Sequence, residues 1–179
     1  MIQLLLVDDD PSYRTNTASL LRYKKYEVIE AEKVADAIEL IEKASEPYPI
    51  VVADMLFNEG SGLDVLECAK LKSFLTQVIV VTAHGNTSNA VTAMENGAFT
   101  YHEKDGGDGG GDLLLTQVGA AYHRFRQLSE AYMRVRDVDD IRATLRSISG
   151  QIEVLSARLD GTARAMEDLF HSPLAHPSE

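Results

Sequence analysis

The chain has one cysteine, no tryptophan and five prolines in 179 residues. A single thiol, Cys68, can close no internal disulfide, so packing must hold the fold and a reducing compartment suits it. On a helical pattern such a thiol reads as packing rather than chemistry. Long hydrophobic runs are also missing. The apolar stretches at Leu4 and Val78 are five to six residues long, against the roughly 20 that a membrane helix needs. No charged leader or cleavage site accompanies the strand-like run at Ile2, so the expectation is a cytoplasmic chain off the membrane. Positive charge is scarce: 17 Lys and Arg face 28 Asp and Glu, a net charge of −11. Residues 1–111 carry −9 of that and the remainder −2. No basic patch is left to neutralise phosphates, which argues against direct nucleic-acid binding.

What is present is ordinary globular material, 45% hydrophobic and 25% charged, enough for one full domain with an extension. Short apolar runs at Ile2–Val7, Ile50–Ala53 and Val78–Val81, with weaker ones at Glu27–Glu30 and Phe99–His102, read as strands. Amphipathic stretches lie between them, such as Ala35, Ile38, Leu40 and Ile41, or Leu63, Val65, Leu66 and Ala69. Five βα repeats of this kind predict an α/β fold with a five-stranded, doubly wound parallel sheet. Functional groups in such sheets collect at the carboxyl ends of the strands. Asp8 and Asp9 follow the first strand, Asp54 ends the third, Thr82 ends the fourth and Lys104 follows the fifth. Carboxylates gathered at one sheet edge repel one another unless a cation sits among them, and an all-oxygen set suits Mg²⁺. Asp10, before Pro11, reads as a helix cap instead of a ligand.

The run Leu4-Leu5-Leu6-Val7-Asp8-Asp9-Asp10-Pro11, then Val51-Val52-Ala53-Asp54, Val80-Val81-Thr82-Ala83 and Gly97-Ala98-Phe99-Thr100-Tyr101-His102-Glu103-Lys104 resemble the receiver domain of bacterial response regulators. The resemblance covers about two thirds of the chain and implies a flavodoxin-like fold over residues 1–112, the last helix beginning about residue 113. It implies that Asp54 accepts a phosphoryl group from a histidine kinase or phosphotransfer protein. It implies Mg²⁺ on Asp8, Asp9, Asp54 and the backbone carbonyl of Leu56. Lys104 and Thr82 would contact the phosphoryl oxygens, and Tyr101 would turn from exposed to buried behind Thr82. No catalytic residue beyond these is implied: the chain would phosphorylate itself and lose the group slowly, without being an enzyme.

Two departures from the family pattern matter. Phe57-Asn58 stands where Met-Pro is usual, although Gly62 keeps its place eight residues after Asp54. Asp105, followed by a run of Gly and Asp to Asp112, stands where a proline usually follows the lysine. Without proline the cis bond loses its preference, and the glycines make a loose loop in which Lys104 would be held less rigidly. Asp112 would cap the next helix. Leu56 and His84 flank the path of water to the phosphoryl group in the family. An apolar Leu56 predicts a phosphoryl lifetime of minutes or more, and His84 would position water or sit exposed.

From Leu113 to Phe170 apolar residues step by three and four: Val118, Ala121, Phe125, Leu128, Tyr132, Val135, then Val138, Ile141, Leu145, Ile148, Ile152, Leu155 and onward. That is a coiled-coil seam, implying a homodimer. The spacing slips near Val138, where Asp137, Asp139 and Asp140 cluster. Two geometries compete there, a nearly continuous helix of about 55 residues, roughly 80 Å long, and a hairpin broken near 137–140. Residues 171–179 read as a flexible tail or linker, after which a further effector domain is one alternative. Two other readings stand beside the phosphorelay regulator. A haloacid-dehalogenase-like phosphatase would need an aspartate two residues after Asp54, where Leu56 stands. A receiver-shaped scaffold that no longer switches draws its support from the glycine loop.

Overall fold

The computed structural model describes residues 2–83, 85, 87–104 and 110–170, the side chains of 110, 157–160 and 162–170 excepted. Its elements run β1 (Ile2–Val7), α1 (Pro11–Tyr23), β2 (Tyr26–Ala31), α2 (Val34–Lys43), β3 (Ile50–Asp54), α3 (Gly62–Lys72), β4 (Gln77–Thr82), α4 (Thr87–Glu95), β5 (Thr100–Glu103) and α5 (Gly110–Phe170). Every strand pairing is parallel, and the strand order is β2-β1-β3-β4-β5. The order reverses between β1 and β3, so a crevice opens at their carboxyl ends.

β3 and β4 are buried along their whole length, as are residues 4–7 of β1. Both faces of the sheet are covered, which is why these strands read as unbroken apolar runs instead of alternating ones. Successive side chains still point to opposite faces. Leu5, Val7, Val51, Ala53, Val78 and Val80 pack with Ala37 and Ile41 of α2, Val65, Leu66 and Ala69 of α3, and Ala93 of α4. Leu4, Leu6, Ile50, Val52, Ile79 and Val81 pack with Ala18 and Leu21 of α1 and with Leu114, Val118 and Ala121 of α5. Cys68 packs at the edge of the first cluster, and burial pushes its thiol up, away from the reactive thiolate.

The chain forms two compact units, Met1–Glu130 and Ala131–Glu179. In the first unit the seam expected from Val118 onward is corrected: Val118 and Ala121 are buried against the sheet, because a stripe that packs on a sheet has the same three-four spacing as a coil seam. Asp112 is also corrected. α5 begins at Gly110, so Asp112 lies inside the first turn and not at the cap. An acid there is still favoured by the helix dipole. In the second unit the helix passes through 137–140 without a break. No Gly or Pro occurs between residues 131 and 149, Arg142 pairs with Asp139 at 3.3 Å, and Thr144 donates to the Asp140 carbonyl within the helix. Val135, Val138, Ile141, Leu145, Ile148, Ile152 and Leu155 are all exposed on it. Of the expected Gly/Asp loop at 105–112, residues 110–112 open α5 instead, and residues 105–109, like the tail at 171–179, lie outside the described residues.

Leu66 is fully buried in the middle of the first cluster. Leu66→Ala is expected to destabilise the domain by about 3 kcal/mol, read from the midpoint of denaturant unfolding; a loss below about 1 kcal/mol would contradict the packing described.

Candidate functional site

Asp8 is the first residue past β1, and its backbone N–H continues the parallel ladder by donating to the Ala31 carbonyl at 3.1 Å. Asp10 then turns the chain into α1. Its Oδ1 accepts from the N–H groups of Ser12 (2.8 Å) and Tyr13 (3.2 Å), with Pro11 at the first helical position, the cap expected from the sequence. The Arg14 guanidinium donates to the Asp8 carbonyl at 2.6 Å and pairs with Glu30 and Glu32 at 3.8 and 3.5 Å. The loop carrying Asp8 and Asp9 is thereby pinned from both α1 and β2.

Asp54 closes β3, and the chain turns immediately after it. Gly62 N–H donates to the Met55 carbonyl at 3.1 Å, and Leu56 bridges Ser61. A capping box starts α3: the Ser61 hydroxyl accepts from Leu63 N–H, and Asp64 accepts from Ser61 N–H. A Cβ on Gly62 would lie 2.0 Å from the Asp54 carbonyl oxygen. Only glycine lets the start of α3 come this close to the residue it positions.

Asp8 and Asp54 are buried, Asp9 is half-buried, and each offers an oxygen within 4.8 Å of the others. Lys104 comes in from the end of β5, its backbone N–H donating to the Thr82 carbonyl at 2.7 Å. Its Nζ lies 2.7 Å from Asp8 Oδ2 and 2.7 Å from Asp54 Oδ2. Asp54 Oδ1 accepts from Leu56 N–H at 3.3 Å. Burial pushes the Asp8 carboxyl up, and the adjacent Lys104 ammonium offsets only part of that. Burial pushes the Lys104 ammonium down, but the adjacent Asp54 and Asp8 carboxylates together outweigh it and hold its pKa above the usual lysine value. Asp8 Oδ2 meets Lys104 as a charge, yet it is buried without an aligned hydrogen-bond donor. A buried carboxylate oxygen with lone pairs to spare, beside two more carboxylates, fits a hard divalent cation.

The structure therefore brings Asp8, Asp9, Asp54 and Lys104 together at one sheet edge. Thr82 is buried at the end of β4, in register with Glu103 and bonded through its carbonyl to Lys104. Tyr101 is already half-buried and packs on the cluster that faces α2, α3 and α4. Its hydroxyl is buried with no hydrogen-bond partner among the described residues. Leu56 presents its backbone to Asp54 while its side chain is 53% exposed. His84 lies outside the described residues. Three residues were not singled out from the sequence for this site: Arg14; Tyr13, whose ring lies under Lys104; and Asn58, whose amide donates to Asp9 Oδ2 at 3.4 Å. The first two sit in the first turns after the Asp10 cap, and that spacing was the available signal.

Residues 4–109 match the family model of the response regulator receiver domain. The chain belongs to this family. Among curated relatives, the receiver is 36% identical over 101 residues to the acid tolerance regulatory protein ActR of Rhizobium meliloti, covering 56% of this chain and 51% of that one. It is 34% identical over 100 residues to the response regulator PilR of Pseudomonas aeruginosa, covering 56% of this chain and 22% of that one. The matches thus span about half the length of ActR and about a fifth of PilR. Among solved structures, the receiver domain protein from Clostridium thermocellum has 27% identity and a TM-score of 0.65, over 72% of this chain and 99% of that one. The beryllofluoride-activated NtrC4 receiver domain dimer has 26% identity and a TM-score of 0.59, over 71% and 98%.

Gly62→Ala is expected to cost about 3 kcal/mol in stability and to weaken any divalent-cation binding at the carboxylate cluster, since the added methyl must displace the Asp54 backbone. Thermal melts and calorimetric Mg²⁺ titration read the two effects; unchanged values for both would contradict the close approach.

Proposed function

We propose that this receiver takes a phosphoryl group on Asp54 from a sensor histidine kinase or phosphotransfer protein, with Mg²⁺ in the carboxylate cluster, and relays the change to a helix-paired homodimer. The observation that carries the reading is Lys104, whose ammonium lies 2.7 Å from both Asp8 and Asp54 at the edge where the carboxylates meet. A cation there pairs with the attacking carboxylate and lies where it can meet a phosphoryl oxygen.

An Asp54 oxygen attacks phosphorus in line. The P–N bond of the phosphohistidine breaks, its electron pair returns to the imidazole, and an acyl phosphate forms on Asp54. Asp8, Asp9, Asp54 and the Leu56 carbonyl would hold the Mg²⁺, whose chemistry is to neutralise phosphoryl oxygens during the transfer. The product brings about −1.5 to −2 charges at neutral pH. Lys104 answers them by moving from Asp54 Oδ2 onto a phosphoryl oxygen, and the Thr82 hydroxyl donates a second hydrogen bond. Tyr101, already half-buried with its hydroxyl unpartnered among the described residues, follows into the space behind Thr82. Phosphoryl binding favours this arrangement and so shifts its population. Leu56 stands where a phosphatase of similar site would need an aspartate, so the chain holds the phosphoryl group and does not turn over phosphate esters.

For the output, the exposed apolar stripe from Val138 to Leu155 is the face by which a second copy would pair. The NtrC4 receiver, similar at 26% identity, is a dimer in its beryllofluoride-activated state. No helix among the described residues is long and apolar enough to cross a membrane, and we place the chain in the cytoplasm.

Incubation with acetyl phosphate and Mg²⁺ should add one phosphoryl group, seen by intact mass. Asp54→Asn or chelation of Mg²⁺ should abolish it, and the adduct should last minutes or more. An adduct that survives Asp54→Asn would overturn the assignment, and decay within seconds would overturn the lifetime. Light scattering should find a dimer that changes size or shape with Mg²⁺ and beryllofluoride and falls to monomer in Leu145→Asp/Ile148→Asp. A dimer indifferent to that double substitution would remove the helix from the interface.

A further inference from the structure

Lys104 lacks the proline that follows it in the family pattern, and Asp105 in its place opens a glycine-rich run. Its side chain is nonetheless only 9% exposed, held by contacts at both ends. From the backbone side, the bond to the Thr82 carbonyl fixes the residue at the end of β5. At the other end the ammonium donates to Asp54 Oδ2 at 2.7 Å and pairs as a charge with Asp8 Oδ2 at 2.7 Å. What lies beside the remaining direction is the face of the Tyr13 ring, whose centroid is 4.4 Å from Nζ, well inside the range of a cation–π contact.

Tyr13 is itself held at both ends. Its backbone N–H donates to Asp10 Oδ1 at 3.2 Å, so the helix cap sets where the side chain leaves α1. Its ring packs on the cluster between α1, α5 and the sheet. Both contacts tie the ring to α1 and the sheet independently of Lys104.

We infer that Tyr13 is a positioning residue for the phosphoryl-accepting site, its ring face seating the Lys104 ammonium between Asp8 and Asp54 where a following proline is missing. The inference rests on the proposed function of Asp54. A hydrogen bond to Asp54 Oδ2 is directional and must be given up when Lys104 moves to a phosphoryl oxygen. A π face attracts a cation over its whole area, so the ring keeps its hold while the ammonium shifts. Tyr13 thus stabilises both positions of Lys104 without touching the reacting group.

The test compares Tyr13→Phe, which keeps the ring and loses the hydroxyl, with Tyr13→Leu, which loses the ring, each alone and with Lys104→Met, on the full chain. The rate constant for acetyl phosphate should fall about fivefold in Tyr13→Leu, equivalent to about 1 kcal/mol, and stay near the parent value in Tyr13→Phe. In the Lys104→Met background Tyr13→Leu should add no further loss. By NMR, the Lys104 ε-methylene protons should be displaced upfield by the ring current in the parent and in Tyr13→Phe, and should return to ordinary lysine values in Tyr13→Leu. Equal loss in Phe and Leu would assign the effect to the Tyr13 hydroxyl and not to the ring face. A loss that persists with Lys104→Met would make the role merely structural. Ordinary ε-methylene shifts in the parent would remove the contact itself. A parent chain that takes no phosphoryl group would overturn the acceptor reading of Asp54, and the ring-current comparison would still decide whether Tyr13 seats Lys104.

Discussion

Two carboxylates buried close together at the end of a sheet are unstable neighbours, and the Lys104 ammonium 2.7 Å from each makes their arrangement tolerable. Desolvation alone would neutralise such acids by raising their pKa values, and the net rise at Asp8 shows that tendency incompletely countered. One lysine answers two acids, and the half-buried Asp9 adds further negative charge, so the edge remains short of positive charge. That deficit is what a divalent cation would fill. A site that is both preorganised and electrostatically unsatisfied is suited to binding, because the desolvation has been met during folding.

Getting three acids and a lysine from three strand ends to one point is a matter of backbone register. In a parallel sheet every strand ends at the same edge, and the pairings Asp54↔Val81 and Thr82↔Glu103 leave Asp54, Thr82 and Lys104 on successive steps along the strands. The last adjustment comes from small devices at the loops. Asp10 caps α1, Arg14 holds the Asp8 carbonyl, and Gly62 permits α3 to start against Asp54. None of these touches a ligand, and each fixes a residue that would.

The long C-terminal helix shows how one pattern can serve two ends. Val118 and Ala121 step at the intervals of a coil seam, yet they are buried on the sheet. Val138 to Leu155 step at similar intervals and remain exposed in the single chain. Periodicity says that a helix has an apolar side; it does not say whether a sheet or another helix covers it. Likewise, three aspartates at 137–140 looked like the start of a second helix, but a capping side chain ends a helix only where the backbone has reason to leave it. With no Gly or Pro nearby, the backbone continues.

The sequence by itself determined the five parallel strands, their boundaries to within a residue or two, and the edge at which Asp8, Asp54, Thr82 and Lys104 would meet. It could do so because apolar runs and their polar endpoints are local features, and parallel topology then has few solutions. Only the tertiary structure decided how Lys104 is held. Proline's absence and the glycines after it suggested a loosely placed lysine, whereas its side chain is buried among Asp8, Asp54 and the ring of Tyr13. That seat is built from residues about 50 and 90 positions away in the chain. Contacts of such range leave no periodic trace in a single sequence, since they depend on which loops the folded sheet brings together.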